Sequence, residues 1–349
     1  MPPMDPLRID LYSDTQSRPT AQMRRFMVDA EVGDEQQGRD PTVNRLCEMV
    51  TELLGKEDAI FLPSGTMCNE IAYRVHCEPG DEIIVDKTGH ALHFEVGGPA
   101  ALSGVMTRPL DGVRGIFSAE QVTAAIRDPG RHAPRSRLLS VENTANLGGG
   151  TVWPLEQIRA VTAAAKDAGL SAHLDGARLM NAVVASGIPA RDFAAPFDSA
   201  WICLTKGLGA PIGAVLAGST GFIERAWRFK HQFGGAMRQA GLIAAAGIYA
   251  LEHHVDRLAE DHANARHFAG LVADIPGIAM DLDAVQTNMI YLDTSELALS
   301  APQVNERLMA RGVRIGAFND SLMRAVTHID VDRAGVEEAA RVLREVIQD

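Results

Sequence analysis

A chain of 349 residues with 46% hydrophobic and 22% charged residues can bury a large core, and its length suggests about two domains. A formal charge of −12 argues against a broad nucleic-acid or anionic-membrane surface, although a local pocket can still take a small anion. Cys47, Cys68, Cys77 and Cys203 form no CxxC pair, so reduced thiols are expected rather than a disulfide framework, and no metal site is expected.

Taken in chain order, the first ten residues, MPPMDPLRID, lack the cationic and apolar regions of a secretory leader. Asp40-Pro41 reads as a helix N-cap with proline at the first helical position. Val43, Leu46, Met49, Val50 and Leu53 follow at helical spacing, and Gly55 closes the helix. The stretch AIFLPSG predicts a strand running into a small-residue turn, and DEIIVD and RLLSVEN predict two more. LEQIRAVTAAAKDAG predicts an amphipathic helix ending at Gly169. LSAHLD predicts a strand, ARLMNAVVASG a helix and SAWICLT a strand. Near residue 250 one long polar helix, LEHHVDRLAEDHANARHFAGLVADI, is expected. NMIYLDT, VRIGAF and MRAVTHID then read as strands, and Gly335 to Ile347 as an amphipathic helix.

Alternation of short, nearly continuous apolar strands with helices is the pattern of a mainly parallel α/β sheet covered on both faces. The expected division is a large α/β domain over 1–255, its first ~30 residues partly an arm, and a small α+β domain over 256–349. No run approaches the roughly 18 apolar residues of a membrane span. A cytoplasmic protein with neither nucleic-acid nor membrane partners is therefore expected.

Ligands of open α/β sheets bind beyond the carboxyl ends of the strands. That rule selects Ser64-Gly65-Thr66, His90, Glu142-Asn143, Asp175 with Arg178, and Lys206. Lys206 ends an apolar strand, where desolvation favours the neutral, nucleophilic amine; the alternative is a lysine snorkelling to the surface. Asp175 precedes a helix and suits either a structural cap or a carboxylate that keeps a heteroaromatic nitrogen protonated. His173 faces the same side of its strand as Asp175 and suits a packed core histidine equally well. The small residues before the helix that begins near Gly65 present backbone N–H groups suited to phosphate. GGAMRQ adds a second glycine-rich stretch beside Arg238. A phosphate cradle, a carboxylate for a ring nitrogen and a nucleophilic lysine one strand later are together the needs of pyridoxal 5′-phosphate.

The sequence resembles the low-specificity L-threonine aldolases, pyridoxal-phosphate enzymes of the aminotransferase-like fold type I. The resemblance runs over essentially the whole chain. DLYSDTQSRPT, GRDPTVNRL, FLPSGTMCN, SVENTANLGGG, HLDGARLMNA, CLTKGLGAPIGAVLAG, GGAMRQAGLIAAAGIYAL and RAVTHID carry it. It implies that Lys206 bonds the cofactor's carbonyl carbon, Asp175 pairs with its ring nitrogen and His90 stacks on the ring. It gives the phosphate to Gly65 and Thr66, with Arg238 reaching in from a neighbouring subunit. Ser13, Arg178 and Arg324 surround the substrate carboxylate or the ring hydroxyl, a role that suits arginine's planar fork. A homotetramer built as a dimer of dimers is implied.

The implied reaction is retro-aldol cleavage of L-threonine, L-allo-threonine or a related β-hydroxy-α-amino acid to glycine and an aldehyde. Candidate bases for the β-hydroxyl proton are His90, a bound water or the cofactor phosphate. Three other readings stay open: β-elimination or racemisation on the same fold, an aldolase specialised for another β-hydroxy amino acid, and a scaffold that has lost its chemistry. The chain also departs from the family pattern. Ala145 stands where a histidine is usual, Gln37 where a tyrosine is usual, and Arg39 where an acid is usual. The basic residue before the second glycine-rich stretch falls on His231 or Lys230. Losing an imidazole and a phenol is expected to free volume for other side chains.

Overall fold

A computed structural model describes residues 7–348; the first six residues of the N-terminal stretch read above lie outside it. Among the described residues eleven strands run in chain order. They are β1 (Ile9–Leu11), β2 (Asp58–Leu62), β3 (Glu82–Asp86), β4 (Met106–Leu110), β5 (Ser136–Glu142) and β6 (Ser171–Gly176). β7 (Ser199–Cys203), β8 (Ala214–Gly218), β9 (Met289–Asp293), β10 (Val313–Ala317) and β11 (Leu322–Val326) complete the set. The chain divides into two compact units, residues 19–255 and residues 7–18 with 256–348.

The larger unit carries a seven-stranded sheet in the order β2-β8-β7-β6-β5-β3-β4. Only β8 runs antiparallel to its neighbours, so the remaining strands share one direction and one carboxyl edge. Strands β3, β7 and β8 are buried along their whole length. Cover on both faces accounts for the apolar interior of β3 and β7. The Asp40 carboxylate accepts the Val43 N–H, Pro41 sits at the helix start, and Gly55 closes the helix in the left-handed region at φ 63°. The helix Leu155–Asp167 buries Ile158, Val161 and Ala165.

Two strands have little apolar signature. β4 is an edge strand, mostly solvent-accessible and interrupted by Arg108 and Pro109, as edge strands commonly are. β8 is short, and its alanines and glycine carry little periodicity. The expected single helix over 251–275 is instead two, Gly241–His253 and Leu258–Val272. His254 ends the first, and its Nδ1 lies 2.7 Å from the Leu208 carbonyl, a side-chain bond that pins the turn.

The smaller unit holds the sheet β1-β10-β11-β9. Residues 7–18, expected in an arm of the 1–255 domain, belong here instead. β1 pairs in parallel with β10, with Ile9 opposite Val313 and Leu11 opposite Ile315, so its apolar residues complete this sheet's core. The closing helix Arg333–Gln348 buries Val336, Leu343 and Val346. Ser13 Oγ accepts from the Thr15 N–H at 3.2 Å. Arg324, on β11, donates to the Tyr12 carbonyl and lies 4.6 Å from the Phe318 ring centre. Among the described residues no helix is long and apolar enough to cross a membrane, and no cluster of three metal-ligating side chains occurs.

Candidate active site

The carboxyl edge of the seven-stranded sheet gathers the residues picked out by their position after strands. The turn after β2 leads to Ser64, Gly65 and Thr66, and the turn after β3 to His90. β5 ends in Glu142, β6 in Asp175-Gly176, and β7 runs into Thr205-Lys206. Register places Glu142 opposite Asp175 on adjacent strands, and Asp175 opposite Trp201 on the next.

At the centre is Asn69, on the helix Gly65–His76 and 1% exposed. Its Oδ1 accepts the indole N–H of Trp201 at 2.7 Å. Indole can only donate, so this contact fixes which end of the amide is oxygen. The amide nitrogen therefore donates, at 2.8 Å each, to Asp175 Oδ2 and Glu95 Oε1. His173 Nε2 sits 3.2 Å from the same Oδ1 and must donate as well. Its Nδ1 then accepts from Ser199 Oγ at 2.8 Å. Burial holds His173 well below the usual histidine range, so it is a neutral, packed core residue that orients Asn69.

Asp175 is 4% exposed, and both its hydrogen bonds come from neutral donors, Asn69 and the Ala177 N–H. Burial pushes its carboxyl above the ordinary value, opposed by His90, the Asn69 bond and Lys206. His90 donates its backbone N–H to Glu142 Oε2 at 2.8 Å, and Glu142 Oε1 accepts the Asn146 N–H. Burial and the nearby Asp175 raise Glu142 to about 7. On balance the surrounding carboxylates lift His90 above its usual range, against the cost of burial. Neither Asn69 nor Glu95 stands out in the sequence. Only the polar side chain on a face otherwise apolar, in CNEIAYRV, signals that something must pair with it.

Lys206 is half-buried, its Nζ 6.0 Å from the centre of the Trp201 ring. The same ring packs under Gly65, where a Cβ would fall 2.3 Å from the indole. Glycine is thus the residue that lets the helix Gly65–His76 start directly against β7. Ser64 Oγ accepts the Met67 N–H, while the N–H groups of Gly65 and Thr66 precede the first intrahelical bond and are available to an anion. Arg178 is 6% exposed and donates to Asn146 Oδ1 at 3.4 Å. Arg238 is exposed and paired with Asp34 at 3.2 Å. Ser13 and Arg324 lie in the smaller unit, and their roles rest on the resemblance alone.

The glycine-rich stretch around Arg238 is held by a buried ion pair. Lys230 and Glu35 meet at 2.9 Å, both side chains fully buried, and Glu35 also accepts the Met237 N–H. Burial lowers Lys230 and Glu35 opposes the shift. Lys230 is therefore the inward-facing cation of the pair Lys230-His231, and His231 is exposed. Removing one partner strands the other charge in the core. Lys230→Met is expected to cost about 3–5 kcal/mol, with partial recovery in Glu35→Gln/Lys230→Met. Urea denaturation checks this, and a single variant within about 1 kcal/mol of the parent would contradict it.

The sequence profile of the family described as "Beta-eliminating lyase" matches residues 10–295. The low specificity L-threonine aldolase of Escherichia coli K12 is 42% identical, covering 95% of this chain and 97% of its own length. The low-specificity L-threonine aldolase 1 of Arabidopsis thaliana is 39% identical, covering 94% and 93%. The chain belongs to the low-specificity L-threonine aldolase family. Its fold matches that of a Leishmania major threonine aldolase with a TM-score of 0.82 at 20% identity, covering 97% of this chain and 99% of that one. The mainly parallel α/β sheet of this family member is that of fold type I, and the family's cofactor is pyridoxal 5′-phosphate.

Three departures from the family pattern look different in three dimensions. Gln37 and Arg39 are exposed, and Gln37 bonds to Asp34. Ala145 was expected to leave room, but its methyl group is enclosed. A Cβ on Gly115 would lie 2.5 Å from that methyl, and one on Gly148 would lie 2.9 Å from it. Two backbone segments fill the space. Ala145→His is therefore expected to overpack this turn, at a cost of about 1–3 kcal/mol. An unchanged melting temperature would show that the imidazole has room after all.

Proposed function

We propose that this protein is a pyridoxal-phosphate-dependent aldehyde-lyase that cleaves L-threonine, L-allo-threonine or related β-hydroxy-α-amino acids to glycine and an aldehyde. The observation that carries the reading is Asp175. It is a buried carboxylate whose side-chain hydrogen bonds, among the described residues, come from neutral donors, one strand away from Lys206. A carboxylate so placed calls for a cationic partner, and a protonated ring nitrogen supplies one. The residues present therefore fit the cofactor. Lys206 would hold it covalently, the Gly65 and Thr66 N–H groups would take its phosphate, and Asp175 would keep its ring nitrogen protonated. When bound, the cofactor supplies an electron sink for the carbon–carbon bond that breaks.

The chain's own groups do the rest. Lys206 would be the residue that holds the cofactor and, through its amine, yields that place to the substrate and regains it. Asp175, its orientation fixed by Asn69 and the Ala177 N–H, would supply the negative charge that keeps the ring nitrogen protonated. His90, 30% exposed at its side chain, is positioned to take the β-hydroxyl proton on its imidazole. Arg178 offers a guanidinium held by Asn146. A cytoplasmic homotetramer, with Arg238 contributing across a subunit contact, completes the proposal.

Incubation of the cofactor-loaded protein with L-threonine, L-allo-threonine and phenylserine tests the reaction. Glycine and an aldehyde in equal amounts are expected. A 2-oxo acid with ammonia would establish β-elimination instead, and no turnover with any of the three would overturn the reading. Sedimentation tests the assembly, with a monomer as the contrary result.

A further inference from the structure

Behind His90 lies a second carboxyl that the reaction above does not use. Glu70, on the helix Gly65–His76, is 2% exposed, and Glu95, just after the turn that carries His90, is 4% exposed. Glu95 Oε1 receives two donors, Asn69 Nδ2 and His90 Nδ1, at 2.8 Å each. Its Oε2 and both oxygens of Glu70 are buried and receive no donor from elsewhere among the described residues. The two carboxyl groups face one another at hydrogen-bonding range. The backbone closes over them, because a Cβ on Gly98 would fall 2.1 Å from Glu70 Oε1.

Two facing carboxyl groups can bond only through a proton. Glu95 has two donors to stabilise its anion, and Glu70 has none. We propose that Glu70 carries that proton and donates it to Glu95, and that this pair is a positioning device fixing His90 as the Nδ1–H tautomer, with its lone pair on Nε2. The anion of Glu95 accepts the Nδ1–H, so the opposite nitrogen is the one left to act as base. Burial and the charge of Glu95 push Glu70 up to about 9, in keeping with a proton retained at neutral pH. The other titratable groups facing the pair are Tyr73 and Cys68 from the same helix, Asp175 from β6, and His90 itself, which in turn meets Glu142 from β5. None of these is a permanent cation, so none replaces the shared proton.

The protonation pattern rests on the buried, donorless carboxyl oxygens and the hydrogen bond between Glu70 and Glu95, while its catalytic consequence rests on the lyase reading above. Infrared difference spectra of the cofactor-loaded protein against Glu70→Gln should show a protonated carboxyl at pH 7 that disappears above about pH 9. Nitrogen NMR of histidine-labelled protein should show His90 carrying its proton on Nδ1. Absence of the carboxyl band, or a proton on Nε2, would overturn the proposal. In kinetics Glu70→Gln keeps a donor to Glu95. It should retain the rate to within about threefold at pH 7 and lack the decline in kcat/KM at alkaline pH that is expected of the parent. Glu70→Leu should fall by at least about tenfold, because the donor that Glu70 offers Glu95 is lost and the hold on His90 loosens. Equal rates and identical pH profiles for the parent and both variants would also overturn it. If nothing is cleaved but the carboxyl band and the Nδ1–H signal are present, the lyase reading fails and the proton-sharing pair stands.

Discussion

Lys206→Ala is expected to lower turnover of β-hydroxy amino acids by at least about 10⁴-fold while leaving the fold intact. The amine is the only nucleophile at the carboxyl edge between β7 and β8 that suits covalent capture of an aldehyde. On the proposed role, truncation would remove both the covalent link to the cofactor and the group that releases the product. The fold should tolerate it. Lys206 is half-buried in the turn after β7, and the core beneath it, from Trp201 to Leu204, is unchanged. Steady-state kinetics and thermal denaturation check the two halves separately. A rate within tenfold of the parent would place the nucleophile elsewhere. A collapse of the melting temperature would make Lys206 structural.

The second large effect is expected away from the reacting groups, at Asn69. Asn69→Leu keeps the volume and removes every polar atom. Trp201 Nε1, His173 Nε2, Asp175 Oδ2 and Glu95 Oε1 all lose a partner in a buried setting. Each such loss costs about 1–3 kcal/mol. Even with partial rearrangement the sum should reach about 4 kcal/mol, in the range of exceptional single substitutions. For a unit of this size that is roughly a 10 °C drop in melting temperature. Asn69→Asp separates structure from chemistry. It keeps the acceptor for Trp201 and His173 but replaces two donors with a third carboxyl between Asp175 and Glu95, so cofactor affinity should fall even where the fold survives. A leucine variant melting within about 2 °C of the parent would remove Asn69 from the centre of this network.

Much of the candidate site was legible before any coordinates. Lys206, Asp175, His90 and the Gly65-Thr66 turn share one property, a place at the carboxyl end of an apolar strand or in the turn after it, and a parallel sheet delivers such positions to one edge. Asn69, Glu70 and Glu95 escaped notice because their role lies in partners remote in sequence. Asn69 and Trp201 are 132 residues apart, and nothing in CNEIAYRV marks the indole that orients the amide. Glu35 and Lys230 were hidden for the same reason, since burial rather than residue type makes them consequential. Ala145 shows the converse. A missing side chain read as free space is, in the folded chain, occupied by Gly115 and Gly148.

Local order came from the sequence acting on itself. Short apolar strands, the Asp40-Pro41 cap and left-handed Gly55 need only near neighbours, and these sufficed for an α/β fold and for the family's chemistry. Tertiary structure decided where residues 7–18 pair, how the amide of Asn69 points, and that two buried carboxyl groups must share a proton. Those outcomes depend on desolvation and on partners brought together from distant segments, and neither is a property of any short stretch of chain.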